Sequence, residues 1–235
     1  MSAVSQTIFV GTYTPKNSSS RGIYAVRFDP VTGALGEPSL AAETSNPTFL
    51  ALHPNGRVLY ALGESGTVNG RPGGAVAAYA LDPATGTLAR LNAQPTGGGS
   101  TTHLAADHSG RMLVAVSYSG GQIASFPLDA DGRLGARASW HTPTGRLGPN
   151  SARQDKPHPH SVTLSPDNRF AYICDLGLDR IFRFRLDPAT ATLVAAGDQA
   201  APAGAGPRHS KISSDGRFLY IINELGSSIT TYARE

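Results

Sequence analysis

Six side chains in this sequence have the chemistry to move a proton and hold an anion: His103, His158, His160, Arg208, His209 and Glu224. A histidine ordinarily titrates near ~6.5, so it is the usual group for taking a proton from water at neutral pH. Arginine stays charged and presents a fork of N–H donors to a carbonyl oxygen that becomes negative, or to a phosphate or carboxylate. A carboxylate beside them orients the histidine, anchors the arginine or serves as the base itself. Blander roles exist for the same residues. His158-Pro-His160 fits two metal ligands, but no third ligand follows at a fixed spacing. Arg208 and Glu224 fit an ion pair between neighbouring strands.

Whether these residues meet depends on the elements that carry them, and those elements repeat. Residues 47–60, 101–114, 159–172 and 207–220 match one another, with Gly56, Gly110, Asn168 and Gly216 in one phase, 54, 58 and 48 residues apart. A second motif interleaves at residues 28–33, 81–86, 128–132 and 186–191, reading Asp-Pro-x-Thr-Gly in its fullest form. Asn55-Gly56 and Asp215-Gly216 between apolar runs are hairpin signals, since both residue types tolerate positive φ. In the second motif Pro sets φ and Gly supplies a left-handed position, as a longer hairpin loop needs.

One repeat therefore reads as four antiparallel strands, in the second unit Thr48 to Leu52, Val58 to Leu62, Ala75 to Leu81 and Leu88 to Asn92. Four strands per roughly 50 residues predict an all-β fold, a β-propeller of four-stranded blades. A β-sandwich would not need equal turn chemistry at a fixed period. The first unit begins at its second strand, Ile8 to Tyr13, and the last ends with its third, Ser228 to Tyr232. The reading is a single domain over residues 1–235, an incomplete propeller of about five units. An open ring leaves unpaired edges that favour self-association.

The phase then places the chemistry. Thr48, Thr102, His160 and Arg208 each lie eight residues before the marker, at the start of a first strand that lines the channel. Glu64 and Glu224 lie eight residues after it, at the end of a second strand. Antiparallel pairing brings that end beside the start of the first strand, so Arg208 and Glu224 meet at one rim. Equal phase puts His160 on the same rim, with His103, His158 and His209 close to that layer. His53 and His108 fall at the opposite rim as turn residues, Cys174 reads as a buried small residue, and Gly97 to Gly99 as linker between blades.

Composition excludes several classes. Hydrophobic residues are 40% and charged residues 16% of the chain, too apolar for disorder. The formal charge is only +3, with basic residues scattered singly, which predicts no nucleic-acid partner. No apolar run is long enough for a membrane span, and Met1 to Gln6 has neither region of a secretory signal. The single cysteine excludes an intramolecular disulfide and fits a reducing compartment. The expectation is a cytoplasmic protein that uses no metal and no cofactor and has no membrane partner.

Residues 156–180 and 206–225, with Ile8-Phe-Val-Gly-Thr-Tyr13, resemble the lactonase family of bacterial 6-phosphogluconolactonase type, related to fungal carboxy-muconate cyclases. The resemblance spans essentially the whole chain. It implies a seven-bladed propeller of which these residues are the first two-thirds, and a small-molecule sugar lactone as substrate. The substrate implied is 6-phospho-D-glucono-1,5-lactone, opened to 6-phosphogluconate in the pentose phosphate route. It also implies a catalytic His160, Arg208 and Glu224, with a further arginine from a later blade. On this reading His160 is the base, Arg208 holds the anion, Glu224 orients, and His158, His103 and His209 bind substrate. A muconate-lactone cyclase and a non-catalytic binding propeller are the alternatives.

Overall fold

A computed structural model describes residues 6–63, 67–68 and 71–234; Glu64, which the phase places at the rim, lies outside them. Every regular element among the described residues is a strand. Blade I holds β1 (Gln6–Gly11), β2 (Gly22–Phe28) and β3 (Ser39–Glu43). Blade II holds β4 (Leu50–Leu52), β5 (Val58–Gly63), β8 (Ala75–Leu81) and β9 (Leu88–Pro95), with a small hairpin of β6 (Thr67–Val68) and β7 (Arg71–Pro72) between β5 and β8. Blade III is β10 (Thr101–Ala106), β11 (Met112–Ser117), β12 (Gln122–Pro127) and β13 (Ser139–His141). Blade IV is β14 (Pro159–Leu164), β15 (Phe170–Asp175), β16 (Arg180–Asp187) and β17 (Thr192–Ala200). Blade V is β18 (Pro207–Ile212), β19 (Phe218–Asn223) and β20 (Ser228–Ala233). Each blade is an antiparallel meander, so the predicted fold class holds. No helix is long and apolar enough to cross a membrane among the described residues.

The turns explain the phase marker. Gly56, Gly110 and Gly216 have φ of 69°, 69° and 75°, and Asn168 takes 57° at the same place. Each donates its N–H back three residues, to His53, Asp107, Ser213 and Ser165 respectively, at 2.9 Å. That is a reverse turn closed by one left-handed residue, which glycine adopts freely and asparagine tolerates. Within Asn55-Gly56 only Gly56 takes a positive φ. At the far turns, Gly33, Gly86 and Gly132 have φ between 74° and 78°, and Ala191 bears the same conformation at 55°.

Alternation along the strands sends successive side chains to opposite faces of a blade, and both faces of the inner blades are covered. Val58, Tyr60 and Leu62 of β5 pack with Leu113, Ala115 and Phe126 of blade III. Leu59 and Ala61 pack the other way, onto Ile23 and Ala25 of blade I. Met112, Val114 and Val116 meet Val162, Ala171 and Ile173 of blade IV. Tyr172 and Cys174 meet Leu219 and Ile221 of blade V. The core is thus four layers between blades, each large side chain contributing about 1.5–3 kcal/mol by burial.

Candidate functional site

The first strands stand side by side and are stitched by short polar contacts. Thr102 Oγ1 donates to the His160 carbonyl at 3.2 Å, and Thr163 Oγ1 donates to the Ser210 carbonyl at 2.9 Å. Each of these strands is interrupted at the same place. Thr101 pairs with Ser117 and His103 with Val116, so Thr102 is passed over. His160 is passed over between Pro159 and Ser161, and Arg208 between Pro207 and His209. The three residues of equal phase are therefore three β-bulges. A bulge bends the strand and re-aims its side chains, a device common next to functional sites.

At the rim His160, His209 and His103 converge. The His160 and His209 rings lie 5.2 Å apart, and the His209 and His103 rings 5.3 Å apart. His103 also rests on Phe49 at 3.9 Å. Burial pushes His103 down to about 3, assisted by the charges of His209 and His160. Burial, the Arg208 charge and His209 likewise push His160 down to about 4, against the opposing charge of Glu224. His209 is lowered by burial and by Arg208. At neutral pH all three are uncharged acceptors or donors rather than cations. The His160 Nδ1 is buried without a protein hydrogen bond.

Glu224 stands where the phase placed it, beside Arg208. Its Oε2 accepts from Arg208 Nε at 2.9 Å, while Oε1 accepts from Arg153 Nη2. Partial burial raises the carboxyl, but the hydrogen bond and charge of Arg153, with those of Arg208, hold it below its ordinary value. Both oxygens are engaged by arginine, so Glu224 anchors the two guanidinium groups.

His158 is not part of the cluster. Its ring is 4% exposed and stacks on Tyr118 at 4.2 Å. The Nδ1 sits 3.0 Å from the Tyr118 carbonyl and the Nε2 2.8 Å from the Asp155 carboxylate. Both ring nitrogens of His158 are thus engaged by protein groups. The two histidines stand differently in the backbone, since the register shift falls at His160, between Pro159 and Ser161. Beneath it, Asp175 accepts from the His158 and Leu178 amides at 3.0 and 2.9 Å. Burial nevertheless lifts Asp175 to about 6, the amide hydrogen bonds opposing it.

Two participants were not singled out from the sequence. Tyr118 lies eight residues after Gly110, the place that Glu224 holds in blade V, so the same count reaches it. Its ring meets His160 edge-on at 5.5 Å. Arg153 sits in the long connection between β13 and β14, outside the repeat, and no periodic signal marks it. No group of three or more histidine, cysteine or acidic residues is arranged to hold a metal among the described residues. His53 caps the opposite rim, its Nε2 3.0 Å from the Gly110 carbonyl. Cys174 is buried.

A propeller rim carrying neutral imidazoles beside an arginine–carboxylate group invites comparison with known proteins. Over 221 residues the chain is 34% identical to a 6-phosphogluconolactonase of Bacillus subtilis strain 168, covering 94% of this chain and 60% of the relative. A 6-phosphogluconolactonase of Formosa agariphila is 31% identical over 229 residues, covering 96% and 64%. The solved structure of the periplasmic gluconolactonase of Pseudomonas aeruginosa superposes with a TM-score of 0.87 at 34% identity, over 98% of this chain and 64% of that one. The chain spans about three-fifths of the length of these curated relatives. Residues 7–235 match the family model described as lactonase, 7-bladed β-propeller, and the chain belongs to that family.

Proposed function

We propose that the protein opens a sugar lactone by hydrolysis, with 6-phospho-D-glucono-1,5-lactone as the substrate and 6-phosphogluconate as the product. The observation that carries the reading is the buried, uncharged His160 beside an Arg208 that Glu224 holds in place. The relatives' names supply the substrate class. A water at His160 Nε2 attacks the lactone carbonyl carbon and gives its proton to the imidazole. The carbonyl oxygen becomes negative and is met by Arg208. Collapse of that intermediate breaks the ring C–O bond, and the imidazolium returns its proton to the departing ring oxygen. Products are a carboxylic acid, which gives up its remaining proton to solvent and becomes the carboxylate, and a free hydroxyl. The low proton affinity of His160 makes it a modest base but a ready acid for the second step. The single buried cysteine and the substrate together favour the cytoplasm as the site of action.

The test is turnover by the 235-residue chain measured against spontaneous hydrolysis, with glucono-lactone as a control. Hydrolysis well above background that prefers the phosphorylated lactone is expected. Arg208→Ala should lower kcat/KM by about 10²-fold, the usual cost of deleting one oxyanion donor. A folded chain without turnover would refute the proposal for these residues. Turnover of a muconate-type lactone alone would replace the substrate, and no turnover with retained ligand binding would mark a binding propeller.

A further inference from the structure

Arg153 lies outside every motif, on a connection fixed by several hydrogen bonds. It belongs to a turn in which the Arg153 and Gln154 amides donate to the Asn150 carbonyl at 3.0 and 2.7 Å. Gln154, 1% exposed, accepts from the Asn150 amide at 2.9 Å and donates to the Leu176 carbonyl at 2.9 Å. Further along, Lys156 Nζ donates to the Ser119 carbonyl at 2.8 Å. The turn also needs Gly177, because the Lys156 carbonyl oxygen lies 1.8 Å from where a Cβ would stand. A surface arginine with no task would not require such a mount.

From this mount the guanidinium reaches over the rim. Its Nη2 donates to Glu224 and to the Tyr118 hydroxyl, the latter at 3.3 Å. Arg208 holds the other oxygen of the same carboxylate. The two arginine side chains are 45% and 46% exposed. Nε and Nη1 of Arg153, and both terminal nitrogens of Arg208, carry no protein hydrogen bond among the described residues. Two guanidinium groups sharing one carboxylate leave a net positive pair with several unspent donors. That arrangement suits an oxyanion with oxygens to spare, and a phosphate monoester supplies three.

We infer that Arg153 binds the phosphate of the substrate and sets the preference for a phosphorylated lactone, while Arg208 faces the reacting carbonyl. The division follows from placement: Arg208 is the bulge residue on the strand next to His160, and Arg153 comes from the outer connection. The inference rests on the lactonase reading above, so its test has an arm that does not depend on turnover.

The 235-residue chain and its Arg153→Ala, Arg153→Gln and Arg153→Lys variants are titrated calorimetrically with 6-phosphogluconate and with gluconate. The native chain should bind 6-phosphogluconate at least tenfold more tightly. Arg153→Ala and Arg153→Gln should erase most of that preference, and Arg153→Lys should restore part of it, keeping the charge without the fork. In turnover, Arg153→Ala should raise KM for the phosphorylated lactone about tenfold with a much smaller change in kcat. Equal weakening toward both ligands, an undiminished preference, or no preference in the native chain would overturn the inference. Circular dichroism melting identifies a variant that has not folded, and the remaining two then decide. A chain that binds 6-phosphogluconate through Arg153 but opens no lactone would leave the inference standing and sink the hydrolase.

Discussion

In blade III the bulge residue is Thr102, and the residue just past the end of the second strand is Tyr118. In blade V the same two places hold Arg208 and Glu224. The backbone is alike: in both, the bulge falls one residue after the first paired residue of the inner strand. The side chains do different work. Thr102 ties its strand to the next one through the His160 carbonyl, and Tyr118 packs its ring between His158 and His160. Arg208 and Glu224 pair with each other through the Arg208 Nε, which leaves the terminal nitrogens of that guanidinium outside the pair. Blade IV stands between them with His160 in the same socket. A repeated fold supplies identical mounts, and the site arises from which side chain each blade sets on its mount.

The sharpest way to break this comparison is to empty the socket in blade IV. His160→Gln keeps a polar side chain of similar size and removes the imidazole proposed to take and return the proton. Turnover should fall by about 10³-fold, within the range for loss of a general acid–base. Rates of the variant and the native chain, each corrected for spontaneous opening of the lactone, decide it. A loss smaller than threefold would move the base elsewhere on the rim, and His209 would be the next residue to test.

Next in size is the carboxylate that organises blade V. Glu224→Gln removes the charge held between Arg153 and Arg208, both of which are partly solvated, so the pair is worth less than a buried one. About a tenfold loss of kcat/KM is expected, equivalent to ~1.4 kcal/mol. The equivalent change in blade III, Tyr118→Phe, removes only one contact to Arg153 and should cost less. If Tyr118→Phe were the more damaging, the carboxylate would not be the organising member.

How much of this was legible beforehand varies with the kind of information. The phase count brought Arg208, Glu224 and His160 to one rim, because antiparallel pairing turns sequence offsets into spatial ones. The same count reaches Tyr118. It could not show that the strand breaks at each of these residues, since a bulge is a property of the pairing and leaves no mark in residue type. That omission matters for His158 and His160, which look alike two residues apart but face opposite fates. Nor could it find Arg153, whose place depends on how one irregular connection folds back onto the hairpin at Gly177. Repetition made the scaffold readable, and the departures from repetition hold the residues to which the specificity is assigned by proposal.

A pH titration sharpens the contrast between the buried imidazoles and an ordinary histidine. His160 should titrate near 4 and His103 near 3 in ring-proton NMR, because burial penalises the charged form in both. The sign for stability follows. In the unfolded chain these rings take up protons below about 6.5, whereas the folded chain does not until near 4 and 3. The unfolded state then binds more protons, so these histidines make the fold less stable as pH falls from about 6.5 toward 4. The melting temperature of the native chain should drop across that window, and less so for His103→Phe. A His160 ring that titrated at 6.5 would place it in water rather than in the wall of the channel.

The smallest effect belongs to the socket that carries no charge. Thr102→Val preserves the shape of the side chain and deletes the hydroxyl that donates to the His160 carbonyl. One such hydrogen bond contributes about 0.5–1.5 kcal/mol, and the unpaired carbonyl keeps a second lone pair for other partners. Denaturant unfolding should register a loss near ~1 kcal/mol, while kcat/KM should change by less than about fivefold, the backbone of β14 being fixed also by its pairing with β15. An activity loss as large as that of Arg208→Ala would mean that blade III positions His160 through this bond, and the mounts would then be coupled rather than independent.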